Sequence, residues 1–149
     1  MFAKLLQTED DRVMLALRLA LAVVIFPHGA QKVFGWFGGY GLSGTMGFLT
    51  GTTHLPAWLA AVEIVAEFAG PIGLAVGLLG RVAAFFIACV MVGAVGLVHL
   101  PNGFFMNWTG AQQGEGFEFH ILVLALTLAV MVRGSGAYSL DRLLARRAE

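Results

Sequence analysis

Several polar and protonatable side chains interrupt long apolar stretches of this chain. His28, Gln31 and Lys32 lie near the end of one stretch, Glu63 and Glu67 lie inside another, and His99, Glu118 and His120 stand at the ends of two more. Spacings of three and four residues place His28, Gln31 and Lys32 on one helix face, and Glu63 and Glu67 on one face of another. Two carboxyls stacked in an apolar setting repel, so one must be protonated or share a cation. Pro27 removes the hydrogen bond that the Val23 carbonyl would otherwise accept, and Pro71 does the same to the carbonyl of Glu67. Imidazole, carboxyl and ammonium groups gathered in this way can bind a polar head and carry protons.

These residues need elements that hold them in an apolar medium. The chain has 149 residues, 58% hydrophobic and 12% charged. Soluble domains carry about 25% charged residues, so lipid must be the solvent for much of this surface. Four segments are long enough to span as helices, at about Val13–Phe34, Pro56–Leu79, Arg81–His99 and Phe117–Arg133. The expected fold is all-α: one domain, an antiparallel bundle of four transmembrane helices. Gly80 alone separates the second and third segments, which predicts a tight hairpin ended by that glycine. The other two connections, residues 35–55 and 100–116, are long and rich in glycine and aromatic residues. Long loops in compact bundles are more often functional than short ones.

Charge placement gives the orientation. Lys4, Arg12, Arg81, Arg133, Arg142, Arg146 and Arg147 lie at the termini or the short turn, and the two long loops hold no basic residue. The positive-inside rule then puts both termini in the cytoplasm and the long loops outside. Trp36, Trp58 and Trp108 fall at segment ends, where interfacial indoles belong. Beyond Arg133, Ser139 can cap a short amphipathic helix with Leu140, Leu143 and Leu144 on one stripe and Arg142, Arg146 and Arg147 beside it. The N-terminal segment, interrupted by Arg18 and followed by no clear A-x-A site, reads as a retained span rather than a cleaved signal.

On this topology Arg18 is expected to pair with Glu67 near the midplane. Glu63 is expected to pair with His28 or Lys32 in the outer half, and His99, Glu118 and His120 converge there too. Other patterns carry less. Gly39–Gly44 matches G-x-G-x-x-G but follows a span rather than a strand, so it is no dinucleotide site. Gly73-x-x-x-Gly77 permits close helix packing. Asn107-Trp108-Thr109 is a glycosylation sequon, irrelevant if the protein is bacterial. Cys89, the only cysteine, allows no intramolecular disulfide and reads as a small buried apolar residue. Zero net charge gives no field to draw nucleic acid.

Three stretches, PHGAQKVFGWFGGYGLSGT at Pro27–Thr45, HLPNGFF at His99–Phe105 and YSLDRLL at Tyr138–Leu144, resemble the DoxX family, and the resemblance covers nearly the whole chain. It implies a small four-span protein of the bacterial inner membrane in a redox setting. Relatives are linked to terminal quinol oxidase, to thiosulfate–quinone oxidoreduction and to membrane oxidoreductase complexes that handle oxidative stress. By position, His28, Gln31, Lys32, Glu63, Glu67, His99, Pro101 and Asn102 match the family pattern. The leading expectation is a quinone or quinol pocket in the outer half, formed by His28, Gln31, Lys32, Glu63, Glu67, His99, Asn102 and His120 and flanked by Phe34, Trp36, Phe104 and Phe105. No flavin or nucleotide motif supplies electrons, so a partner protein in a redox complex must. One alternative is a non-catalytic assembly or docking subunit. A lesser one is a haem or metal held by His28, His99 and His120. A homo-oligomer is compatible with all three.

Overall fold

The computed structural model describes residues 5–147. Helix α1, Arg12–Phe34, is capped by Asp11, whose Oδ1 accepts from the backbone N–H of Val13 at 2.9 Å and of Met14 at 3.1 Å. Gly35, in the left-handed conformation, ends it. A 3₁₀ turn at Trp36–Gly38 leads to α2, Gly41–Gly51, and then to α3, Ala57–Val76. Helix α4, Gly80–Ala94, continues through a π turn at Val95–His99 into a 3₁₀ turn at Leu100–Asn102. Helix α5 is Glu118–Arg133 and α6 is Leu140–Arg147. No strand occurs among the described residues.

Three of these helical stretches, Arg12–Phe34, Ala57–Val76 and Gly80–Asn102, are long and apolar enough to cross a membrane. Helix α5, with 16 residues, is shorter. The packing forms a closed ring: α1 on α3, α3 on α4, α4 on α5, and α5 back on α1. Its core is Met14, Leu21, Ile25, Leu74, Ile87 and Val130, all buried. Many large apolar side chains point outward instead, among them Val23, Val65, Val92 and Leu122, as expected of helices whose outer faces meet lipid.

The turn between α3 and α4 differs from the expectation. Gly77, not Gly80, takes the left-handed conformation that ends α3, and its N–H reaches back to Gly73 and Leu74. Gly80 is already the first residue of α4. Asp141 explains this: its carboxylate accepts from the N–H of Leu79 at 2.7 Å and of Gly80 at 3.0 Å, so it caps α4 from a distance in sequence. The side chain of Ser139, just before α6, accepts from the N–H of Arg142 at 3.3 Å.

The first long connection contains a helix that glycine content obscures. Gly41, Gly44, Gly47 and Gly51 all lie in α2, although glycine costs about 1 kcal/mol in a helix interior. Packing compensates: Leu49 joins a second small core with Ala60 and Ile64 of α3. The helix therefore lies over the end of α1 and α3 where Lys32 and Glu63 are found.

A candidate ligand cavity at the loop end of the bundle

Lys32, in the last turn of α1, stands between two carboxylates of α3. Its ammonium hydrogen-bonds Glu63 Oε1 and lies 2.6 Å from Glu67 Oε2. The contact to Glu67 is an ion pair without hydrogen-bond alignment, and Glu63 Oε2 is buried with no partner. One cation thus serves two acids, and acceptor capacity remains. The elements that allow this are helices α1 and α3, brought together at Gly29. A Cβ at that position would stand 2.2 Å from the backbone oxygen of Glu67. Pro71, one turn on, removes the N–H that would have bonded that carbonyl.

Next to this cluster is a cavity of about 280 Å³ between α2, α3 and α4. Its walls are apolar: Phe48 and Leu49 from α2, Val62 and Ala66 from α3, Phe86 and Leu97 from α4 and its extension. Lys32, Glu63 and His99 provide charged or protonatable lining. His99 sits at the end of the π turn, a distortion that recurs at functional sites. Its Nδ1 is 2.8 Å from the Glu115 carbonyl. A carbonyl only accepts, so Nδ1 carries the proton and Nε2 is the acceptor of the neutral ring. Asn102 donates to the same carbonyl at 3.2 Å, and together they pin the second long loop over the end of α4.

The remaining expected residues are spread around this centre. His120 of α5 is buried beside His99, with ring centroids 4.2 Å apart, and its Nδ1 has no partner. His28 is exposed on α1 and faces Phe119, centroids 6.0 Å apart. Gln31 donates to the Phe37 carbonyl at 3.3 Å. Glu118 accepts from the N–H of Met106 at 2.9 Å and serves loop anchoring. Of the expected aromatic flank, Phe34 packs at a tilt on Trp36 and Phe104 edge-to-face on Phe105, outside the cavity lining, where Phe48 and Phe86 stand instead. The His99 and His120 rings are too close to hold a porphyrin between them. Among the described residues no three His, Cys, Asp or Glu side chains form a metal-binding group.

The expected pair of Arg18 with Glu67 is not formed. Glu67 belongs to Lys32, and Arg18 is buried one third of the way along α1 with every N–H on a backbone carbonyl. Nε donates to Ser135 at 2.7 Å, Nη1 to Leu74 and Ala75, and Nη2 to Ala137 at 3.2 Å and Tyr138 at 3.1 Å. The carbonyl-rich C-terminal end of α3 outcompetes a carboxylate two turns away. Sequence reasoning missed this latch and missed Asp141, which is 1% exposed and also accepts from Ser135 Oγ at 2.6 Å. It also took Cys89 for buried packing, whereas the thiol is exposed and lines the cavity.

Comparison with known proteins fits this architecture. The chain is 26% identical over 139 residues to the inner membrane protein YqjF of Escherichia coli (strain K12), an alignment covering 93% of this chain and 96% of the relative. No solved structure gives a significant match. Residues 13–100, which hold α1 to α4 and the whole of the Lys32 cluster, match the DoxX family, and the chain belongs to that family of membrane proteins.

Proposed function

We propose that this protein is a membrane subunit of a redox system that binds a quinone or quinol in the cavity beside Lys32, Glu63 and His99. The observation that carries this reading is the make-up of that cavity: apolar walls, one cation and two acceptors. A quinone is a flat apolar ring with a polar oxygen at each end. Oxidising a quinol releases two protons and two electrons. Glu63 Oε2 and the Nε2 of His99 are groups able to take the protons, and the ammonium of Lys32 is placed to bind an oxygen that has lost one. The electrons pass to a partner oxidoreductase.

In this reading the ring of α1, α3, α4 and α5 crosses the bilayer four times, with both termini cytoplasmic. Arg12, Arg81, Arg133, Arg142, Arg146 and Arg147 all lie toward the end of the ring with the α3–α4 turn, which supports that side as cytoplasmic. The relative's inner-membrane name supports the bacterial inner membrane. Helix α5 covers about 24 Å at 1.5 Å per residue, and Phe117 and the flanking loop complete its passage.

Cys89 is a built-in reporter. A ring-substituted ubiquinone analogue should slow labelling of Cys89 by a small apolar maleimide in detergent-solubilised protein. Lys32→Met and Glu63→Gln should abolish the protection. Labelling unaffected by saturating quinone in the parent protein would overturn the reading.

A docking subunit is the second reading. It rests on the exposed aromatic side chains at the loop end, where Tyr40, Trp108 and Phe37 are 83%, 85% and 69% exposed. Such a subunit would co-purify with an oxidoreductase while quinone left Cys89 labelling unchanged.

A further inference from the structure

At the opposite end of the molecule a second cavity, of about 590 Å³, is lined by Arg81, Arg133, Arg142 and Arg146 together with Glu9 and Asp10. The arginines are not equivalent. Arg133 is neutralised by Glu9 at 3.2 Å and Asp11 at 3.1 Å, and Arg142 by Asp10 at 2.7 Å. Among the described residues, Arg81 and Arg146 have no carboxylate partner. The Arg81 fork is fixed on neutral carbonyls, those of Met131, Val132 at 2.8 Å and Gln7 at 3.1 Å, and its Nε is buried with no partner. A guanidinium fixed on neutral carbonyls and a second arginine without a carboxylate line the same cavity, and two such uncompensated charges suit an oxyanion.

We infer that this cavity binds the phosphate group of an anionic phospholipid. The neighbouring surface separates a lipid from free phosphate. Val132, in the cavity wall, is 64% exposed, and Leu140, Leu143 and Leu144 of α6 are exposed beside Arg142 and Arg146. Charge and apolar surface adjoin where membrane-spanning helices end, at the depth of lipid headgroups. A free phosphate has no use for the apolar part.

The test is native mass spectrometry of purified protein offered equal dioleoyl phosphatidylglycerol and dioleoyl phosphatidylcholine. The anionic lipid should be retained about tenfold better. Arg146→Gln should cut that retention about fivefold, the effect of one basic residue at a membrane surface. Arg147→Gln alters the next residue of the same helix, outside the cavity lining, and should change retention less than twofold. Arg81 is left intact because its carbonyl bonds hold α5 in place. Equal retention of the two lipids would overturn the inference. So would equal effects of the two arginine changes, which would mean diffuse attraction without a site. Full displacement of the lipid by millimolar inorganic phosphate would assign the cavity to the free ion instead.

Discussion

Gly29 of α1 packs directly on the backbone carbonyl of Glu67 in α3, so close that any Cβ would sit 2.2 Å from the oxygen. This contact sets the distance between the two helices at the level of the charged cluster. Lys32, one turn beyond Gly29, can reach both carboxylates of α3 only because the helices meet here.

Gly29→Ala is therefore expected to push α1 and α3 apart. The backbone on both sides cannot yield as a flexible side chain would. The cost should be about 1–3 kcal/mol, as for other overpacked contacts, read as a lower midpoint of thermal unfolding in detergent. An unchanged midpoint would show that the helices have room to spare at this level.

Arg18 makes a second, independent prediction. Arg18→Met removes the guanidinium donor from five carbonyls, those of Leu74, Ala75, Ser135, Ala137 and Tyr138, of which Leu74 keeps the Gly77 N–H. Several buried acceptors lost together should destabilise the protein by at least about 3 kcal/mol. Because Arg18 and Glu67 share no partner, a double-mutant cycle with Glu67→Gln should be additive within about 0.5 kcal/mol. Coupling well above that would mean the two charges interact after all.

The difference between these residues and the readable part of the fold is physical. Helices α1, α3 and α4 are continuous apolar runs, and their existence follows from hydropathy alone. The polar positions are equally visible, because a charged side chain in such a run stands out. Which polar group meets which is a matter of tertiary distance. Arg18 and Glu67 suit each other by charge and depth, yet the carbonyls at the end of α3 are nearer to Arg18 than the acid is. Helix α2 was hidden for another reason: its four glycines carry the signature of a loop, and only its contact with Ala60 and Ile64 makes it a helix. The π turn that ends at His99 leaves no mark in composition at all.

Lys32 is expected to be the most sensitive member of its cluster. Lys32→Met strands Glu63 and Glu67 side by side without a cation, and breaking a buried pair in this way costs about 3–5 kcal/mol. The triple change Lys32→Met, Glu63→Gln, Glu67→Gln removes all three charges and should recover more than half of that loss. Chemical or thermal unfolding of both variants in the same detergent decides the matter. A triple variant no more stable than Lys32→Met alone would mean that packing of the lysine stem, rather than its charge, holds the site.

The last prediction concerns Asp141, which ties the end of the chain to the turn between α3 and α4. Its carboxylate holds the N–H groups of Leu79 and Gly80 and the hydroxyl of Ser135, while its own N–H donates to the Gly77 carbonyl at 2.9 Å. Asp141→Ala should lose an N-cap and leave the N–H groups of Leu79 and Gly80, at the start of α4, unmet, for about 2 kcal/mol or more, at the upper end of measured cap losses. Asp141→Asn keeps one acceptor oxygen and should cost roughly half as much. The two variants also make a local forecast. Hydrogen exchange at Leu79, Gly80 and the first turn of α4 should accelerate, while Lys32, Glu63 and the loop-end cavity, at the far end of α3, keep their protection. If exchange rose equally at both ends, α4 would be unfolding as a whole, and Asp141 would be anchoring the entire helix rather than its first turn.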